Sequence, residues 1–313
     1  MPLPLPETIF DAERMSRSRA TMPTALSTAE LRELGAEVLA RSVFTARGTS
    51  MIFVSKVADV VNAVLSGSMS EGEARAVLGQ TLDALGYDSE AGGFPDDPVP
   101  PALKGTLQDL RSFRRLDLIV RTQVQLMRGA GEQWRGQQAD MLSAFPAWEL
   151  IRVEERMVPR DWQARWKIAG GNLVDGGRMI ALKGDPLWGE LGSYDNFSDA
   201  LGVDHPPFAF LSGMGWRMIP AAEVERLGIK GPAGETAEEW LQSGDGVTLT
   251  GKLPELPKPR LSLDGVPPEL IEKFKKENFA TVAPGKTSTV DFSSRLARSL
   301  AAADAAYGKE GTP

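Results

Sequence analysis

The chain has no cysteine and a single histidine, His205. Without cysteine there can be no disulfide, thiolate nucleophile or thiolate metal site. Ser-His-Asp catalysis, the HExxH zinc pattern and the two-histidine facial triad all need imidazoles, and only His205 could supply one. Long apolar runs are also missing, and none approaches the roughly 20 residues of a membrane helix. The opening MPLPLPETIFDAERM has no charged region followed by an apolar stretch, so a soluble, unexported chain is expected. Positive charge is in deficit: 35 Lys and Arg against 42 Asp and Glu give a net charge of −7. That balance excludes a cationic nucleic-acid coat and leaves only local contact with phosphate.

What is present suits a folded protein of more than one compact region. The 313 residues are 42 % hydrophobic and 25 % charged, with no sign of global disorder. Pro2, Pro4 and Pro6 forbid early helix, so residues 1–23 read as an extended arm. Residues 24–145 read as a helical domain. Ser27 and Glu30 have capping-box spacing ahead of Leu31, Leu34, Val38 and Leu39; the helical period recurs over 51–65 and stops at Gly67. A second box, Ser70 to Glu73, opens a helix with Val77, Leu78, Leu82 and Leu85 inside and Gly86 as its stop. The AGGFPDDPVPP stretch cannot hold regular structure, whereas residues 105–142 predict a long helix broken near Gly129, Gly131 and Gly136.

Residues 146–220 form a Trp-rich α+β region and 221–313 an extension of short strands and helices. WELIRV (148–153) alternates like a half-buried strand, with further strands at 178–183 and 247–253. Helices are expected at 221–227, 267–279 and 292–307, and an extended connector at 254–259. The class is therefore α+β, helix-dominated, with a small β-sheet in the Trp-rich region and extended arms.

Several constellations invite a chemical reading. Arg114, Arg121, Arg128 and Arg135 lie seven apart and make a basic stripe, widened at its start by Arg111 and Arg115. Such a row either meets DNA phosphates or an acidic partner, or is a solvated face paired with Asp109, Asp117 and Glu132. Glu149, Glu154, Glu155 and Asp161 alternate with Arg152, Arg156, Arg160 and Arg165; mutual pairing is the first reading, glycosidase-like acid and base work the second. Trp162 and Trp166 share one face if helical, either packed in a core or stacked on a base or partner. His205, beside Asp204 and Pro206, reads as a loop residue packed on proline. VAPGKT (282–287) has Ala280 where a phosphate-binding loop needs glycine, and Gly170-Gly171 and Gly176-Gly177 lack the GxGxxG order; all three read as loops or turns. No catalytic, cofactor-binding or metal-binding residue is assigned.

Five of the seven tryptophans, Trp148, Trp162, Trp166, Trp188 and Trp216, fall between residues 144 and 219, a density that marks a packed unit. The order of parts across residues 40–219 resembles the phage head-morphogenesis (Mu-type minor head) family. The resemblance is carried by SVFTAR (42–47), the helical pair GSMSEGEARAVLGQTLDALGY, Val120-Arg121-Thr122-Gln123, and the Trp-rich block with GRMIALKGDPLW, PPF and GMGWRMI. Family members often carry a histidine where this chain has residues 160–169, and Gly-Cys-Arg-Cys where it has Gly215-Trp216-Arg217-Met218, so no metal or redox role carries over.

The resemblance implies a structural protein of a tailed-phage or phage-derived particle, assembled in the bacterial cytoplasm and located in the virion at or near the portal. Its partners would be portal or other head and connector proteins and packaged DNA, with no membrane, cofactor or small-molecule substrate; the stripe of Arg114, Arg121, Arg128 and Arg135, read from its spacing, is the candidate DNA or partner contact. The alternative is a hydrolase or processing enzyme using the carboxylates of the Trp-rich block.

Overall fold

Local capping signals set the first helices, and long-range contacts set almost everything after them. The structure is a computed structural model, and it describes residues 12–13, 15–17, 19–24, 26–32, 42–94, 97–156 and 159–243. The elements expected at 247–253, 254–259, 267–279 and 292–307, the 282–287 loop, residues 1–11 of the arm, and Leu34, Val38 and Leu39 lie outside these residues. The described residues divide into two compact units, one of residues 13–123 and the other of Ala12 with residues 124–243. This division falls ahead of Pro146, where the helical and Trp-rich regions were expected to part.

In the first unit, residues 15–17 are helical and β1 (Ala20–Thr21) pairs in parallel with β2 (Ser42–Val43). Ser16 and Met22 are buried, so the described residues from 15 to 23 pack within this unit where an extended arm was expected. Helix α1 (Thr28–Arg32) opens on the expected capping box: the Ser27 N–H donates to Glu30 Oε2 at 2.8 Å, and the Glu30 N–H to Ser27 Oγ at 3.4 Å. Helix α2 (Met51–Leu65) is capped by Ser50 and buries Phe53, Val54, Val57, Val60 and Val61. Helix α3 (Glu71–Ala84) carries the second capping box and buries Ala74, Leu78 and Leu82, with Val77 and Leu85 half-buried. Each fully buried aliphatic side chain contributes about 1.5–3 kcal/mol.

Two expectations for this stretch change. The Gly/Pro/Asp-rich segment is not wholly irregular, since β3 (Gly93–Phe94) and β4 (Asp97–Pro98) form a short antiparallel ladder. The long helix begins later than expected because Asp109 organises the residues before it into a loop. Its carboxylate accepts from the Tyr87 hydroxyl at 2.9 Å, the Ser89 hydroxyl at 2.8 Å, and the Gly105 and Arg111 N–H groups at 2.9 and 3.0 Å. Helix α4 (Phe113–Gly136) then runs unbroken through Gly129 and Gly131, and its residues after Gln123 belong to the second unit.

The second unit continues with α5 (Ala139–Ala144), β5 (Ala147–Arg152), α6 (Trp162–Ile168), β6 (Leu173–Val174), β7 (Arg178–Leu182), α7 (Leu187–Gly192), β8 (Met214–Ile219), α8 (Ala221–Leu227) and α9 (Ala237–Ser243). Four strands make one antiparallel sheet in the order β6-β7-β5-β8. In its register Trp148 lies opposite Ala181 and Met218, and Leu150 opposite Trp216, which places these on one face. Ala147, Leu182 and Ile219 oppose one another on the other face and pack with Val224, Ile229 and Trp240. The central strand β5 is thus covered on both faces rather than half-buried, and β8 is a strand that periodicity did not reveal. The fold is α+β and helix-dominated, with one small antiparallel sheet.

Candidate functional site

All five tryptophans singled out in the sequence meet in one core on a single face of this sheet. Trp148 and Trp216 come from β5 and β8, Trp162 and Trp166 from α6, and Trp188 from α7; Leu150, Leu191, Phe208 and Met214 complete the cluster. Trp148 and Trp216 stack with centroids 4.7 Å apart and planes at 9°, while Trp188 meets Trp166 and Trp216 edge-on, each at 5.3 Å. These offset and edge contacts suit the ring quadrupoles. Trp166 Nε1 donates to the Asn172 carbonyl at 2.9 Å and Trp188 Nε1 to that of Leu182 at 3.0 Å. The Nε1 atoms of Trp162 and Trp216 are buried without an acceptor. Trp162 and Trp166 therefore serve the core and present no ring for stacking on a base.

The charged residues of the block are drawn apart by the fold. Glu149, 5 % exposed, faces the opposite side of the sheet from the tryptophans, where Arg178 donates Nε to Oε1 at 2.9 Å and Nη2 to Oε2 at 2.8 Å. Arg217 donates Nε to the same Oε2 at 3.0 Å. Burial alone would raise the Glu149 pKa, but the hydrogen bonds and charges of Arg178 and Arg217 outweigh it and hold the carboxyl below its usual range. Asp161 caps α6 by accepting the Ala164 N–H at 2.9 Å. Glu154 pairs with Arg156 at 2.6 Å and accepts from Gln125 at 3.0 Å, whereas Glu155 and Arg152 are exposed.

Only Glu154 with Arg156 therefore makes the pairing expected within the block. Arg160 and Arg165 both bind Asp199 at 2.6 Å, and Arg165 also donates to the Leu191 carbonyl and lies 3.8 Å from the centroid of the Phe197 ring. Asp199 lies 34 residues along the chain from Arg165, outside the 149–165 run of alternating charges, and nothing local in the sequence signals it. The four carboxylates do not converge on one point.

One buried ionisable group, Lys183, escaped the sequence reading. Lys183, fully buried at the end of β7, donates Nζ to the Gly136 carbonyl at 2.9 Å and to that of Met141 at 3.4 Å, and sits 4.2 Å from the Trp148 ring centroid. Burial pushes Lys183 down to about 7 against the opposing charges of Glu132 and Asp140. Burial likewise pushes Glu132 up to about 7 against the charge of Lys183. His205 is buried in its loop with Nδ1 2.8 Å from the Pro206 carbonyl oxygen, and burial pushes its pKa down despite Asp204.

The α4 arginines divide in their use. In the first unit Arg121 lies 3.2 Å from Asp117 and 3.6 Å from Glu71, while Arg114 is exposed and makes no ion pair among the described residues. In the second unit Arg135 lies 3.8 Å from Asp140, and Arg128 is exposed and likewise makes no such pair. Of the three carboxylates expected to pair with the stripe, Asp117 does so; Asp109 is held by its loop, and burial pushes Glu132 up to about 7. Among the described residues no group of three or more His, Asp or Glu could hold a metal ion, and no helix is long and apolar enough to cross a membrane. No family model matches the chain, and no curated protein or solved structure matches it.

Proposed function

We propose that this protein is an assembly component of a tailed-phage or phage-derived particle, a minor head protein acting at or near the portal. The reading rests on the order of parts that resembles the Mu-type minor head family. One structural observation favours it over the hydrolase alternative: the five tryptophans of the Trp-rich block join a single core, and the carboxylates of Glu149, Glu154 and Asp161 have separate partners. Glu149 and Glu154 are held by arginines and Asp161 by a helix cap. A glycosidase-type hydrolase needs two carboxylates flanking one bond, about 5–9.5 Å apart. A scaffold protein needs a rigid core and free surface for partners.

Contact with packaged DNA, within this reading, falls to Arg114 and Arg128, whose guanidinium groups no carboxylate among the described residues holds, rather than to Arg121 and Arg135. Mass spectrometry of purified particles, combined with cross-linking, tests the assignment. The chain is expected in the particle at low copy and cross-linked to the portal. Intact, DNA-filled particles that lack the chain, produced by a deletion strain at normal yield, would overturn it.

A further inference from the structure

The register of the sheet fixes where the main-chain groups of β8 point. The Val153 N–H donates to the Gly213 carbonyl at 2.8 Å, so these residues form a hydrogen-bonded pair, and the pairs of the same kind that follow are Ile151 with Gly215, Glu149 with Arg217 and Ala147 with Ile219. On the other side of β5 the Lys183 N–H donates to the Pro146 carbonyl at 2.9 Å, in step with this alternation. Main-chain groups of successive residues point to opposite sides of a strand, so those of Met214, Trp216 and Met218 point away from β5. The Met214 N–H donates to the Ser212 Oγ at 3.1 Å. The N–H groups of Trp216 and Met218, and the carbonyls of all three residues, meet no partner among the described residues.

The opposite edge of the sheet is blunted. Strand β6 has only two residues, and the outward carbonyl of Leu182 in β7 accepts the Trp188 indole N–H at 3.0 Å. Strand β8 lacks such protection: its six residues pair with β5 without a bulge, none is proline or lysine, and its one charge, Arg217, is held by Glu149. A bare edge of this length is a template for another strand. The side chains beside it say which strand fits. Gly215 and Arg217 lie on the face turned away from the tryptophans, and the Arg217 side chain is 55 % exposed. Val153, itself 59 % exposed, leans over Gly215, where a Cβ would lie 2.8 Å from the Val153 Cγ1.

We propose that β8 pairs with the β8 of a second copy of this chain, antiparallel across a two-fold axis at Trp216. The Trp216 main chains then exchange both N–H···O=C bonds, and each Met218 N–H donates to the carbonyl of Met214 of the partner subunit. The Met214 N–H, already on Ser212, ends the ladder. In this register Arg217 falls opposite Gly215 of the partner subunit, so the two arginines do not face each other, and the apolar stem of Arg217 lies against the partner subunit's Val153. The edge is thus complementary to itself, as a two-fold interface requires, and the two sheets become one. The proposal is independent of the head-protein reading and uses none of its evidence.

Sedimentation velocity of the full chain over a range of concentrations tests this, and the wild type should pass from monomer to dimer. Met218→Pro removes an outward N–H that pairing with β5 does not use, so it should stay monomeric with wild-type tryptophan emission. Should proline disturb β8, the charge at residue 153 decides. Within one chain Arg217 lies roughly 13 Å along β8 from the residue opposite Val153, and only the dimer brings the two together. Val153→Lys should therefore weaken the dimer and Val153→Glu tighten it, each by about 2- to 30-fold for two cross-strand charge pairs. Hydrogen exchange of the wild-type Trp216 and Met218 amides should slow as concentration rises. The proposal is overturned by a monomer at every concentration, or by a dimer that all three variants leave unchanged. Protection of the two amides that does not vary with concentration would also overturn it, by showing that something other than a second copy covers the edge.

Discussion

Trp162 and Trp166 stand on one helix and fill one core, yet their indole N–H groups meet different fates. Trp166 donates to Asn172, whereas the Trp162 donor is buried with nothing to accept it. An unsatisfied buried donor costs about 1–3 kcal/mol, while a satisfied one leaves its acceptor stranded when removed. Both Trp→Phe changes lose similar apolar area, so Trp162→Phe should destabilise less than Trp166→Phe by about 1–3 kcal/mol. Urea unfolding of the two variants measures the difference; equal losses, or the reverse order, would show that the Trp162 N–H is satisfied in solution. That tryptophans at this density would pack together was legible in the chain, because Trp is costly to leave in water. Which N–H would find a partner was not, because Asn172 is brought to Trp166 by the turn after α6.

At the scale of elements, helix α4 shows how one residue type carries two opposite messages. Glycine in a helix signals either a break or a place where something must come close, and the sequence alone favours the first. A Cβ built on Gly129 would lie 1.9 Å from the Pro206 carbonyl oxygen, and one on Gly136 would lie 2.1 Å from the Trp148 ring. Both glycines therefore admit a neighbour. Gly129→Ala should destabilise the fold by about 1–3 kcal/mol although alanine favours helix, because overpacking against backbone outweighs propensity. Gly189→Ala in α7, whose Cβ would meet nothing within 4 Å, should stabilise by about 0.5–1 kcal/mol. Thermal unfolding compares them, and a Gly129→Ala variant as stable as wild type would refute the close approach. Helices α2 and α3 were readable to within a residue or two because their caps and apolar faces are local, while the start of α4 was hidden in contacts from Asp109 to Tyr87 and Ser89.

The second unit as a whole should have an unusual stability profile with pH. Glu132, pushed up to about 7 from 4.5, keeps its proton in the folded state where the unfolded chain has lost it, so the stability it contributes falls as pH rises to about 7. Lys183, pushed down to about 7 from 10.5, has lost its proton where the unfolded chain still holds one, so its contribution falls as pH drops toward about 7. Together they predict a minimum near pH 7 between flanks of higher stability. All seven tryptophans lie between residues 134 and 240, so their emission reports on this unit alone. Urea midpoints from pH 5 to 10 should trace the dip, with Glu132→Gln flattening the acid limb and Lys183→Met the alkaline one. A profile without the dip, or one unchanged in both variants, would remove the pair from the account.

Taken by itself, the sequence determined the helix starts at Ser27 and Ser70, the α+β class, and the Trp-rich segment as a packing unit. Capping, periodicity and aromatic density are properties of neighbours along the chain. Only the tertiary structure decided that β5 is buried on both faces, that Glu149 binds Arg178 and Arg217 rather than the arginines beside it, and that Arg160 and Arg165 share Asp199. Those outcomes follow from strand register, where a slip of one residue moves every side chain to the opposite face. Register is fixed by the whole core and not by any stretch of sequence within it.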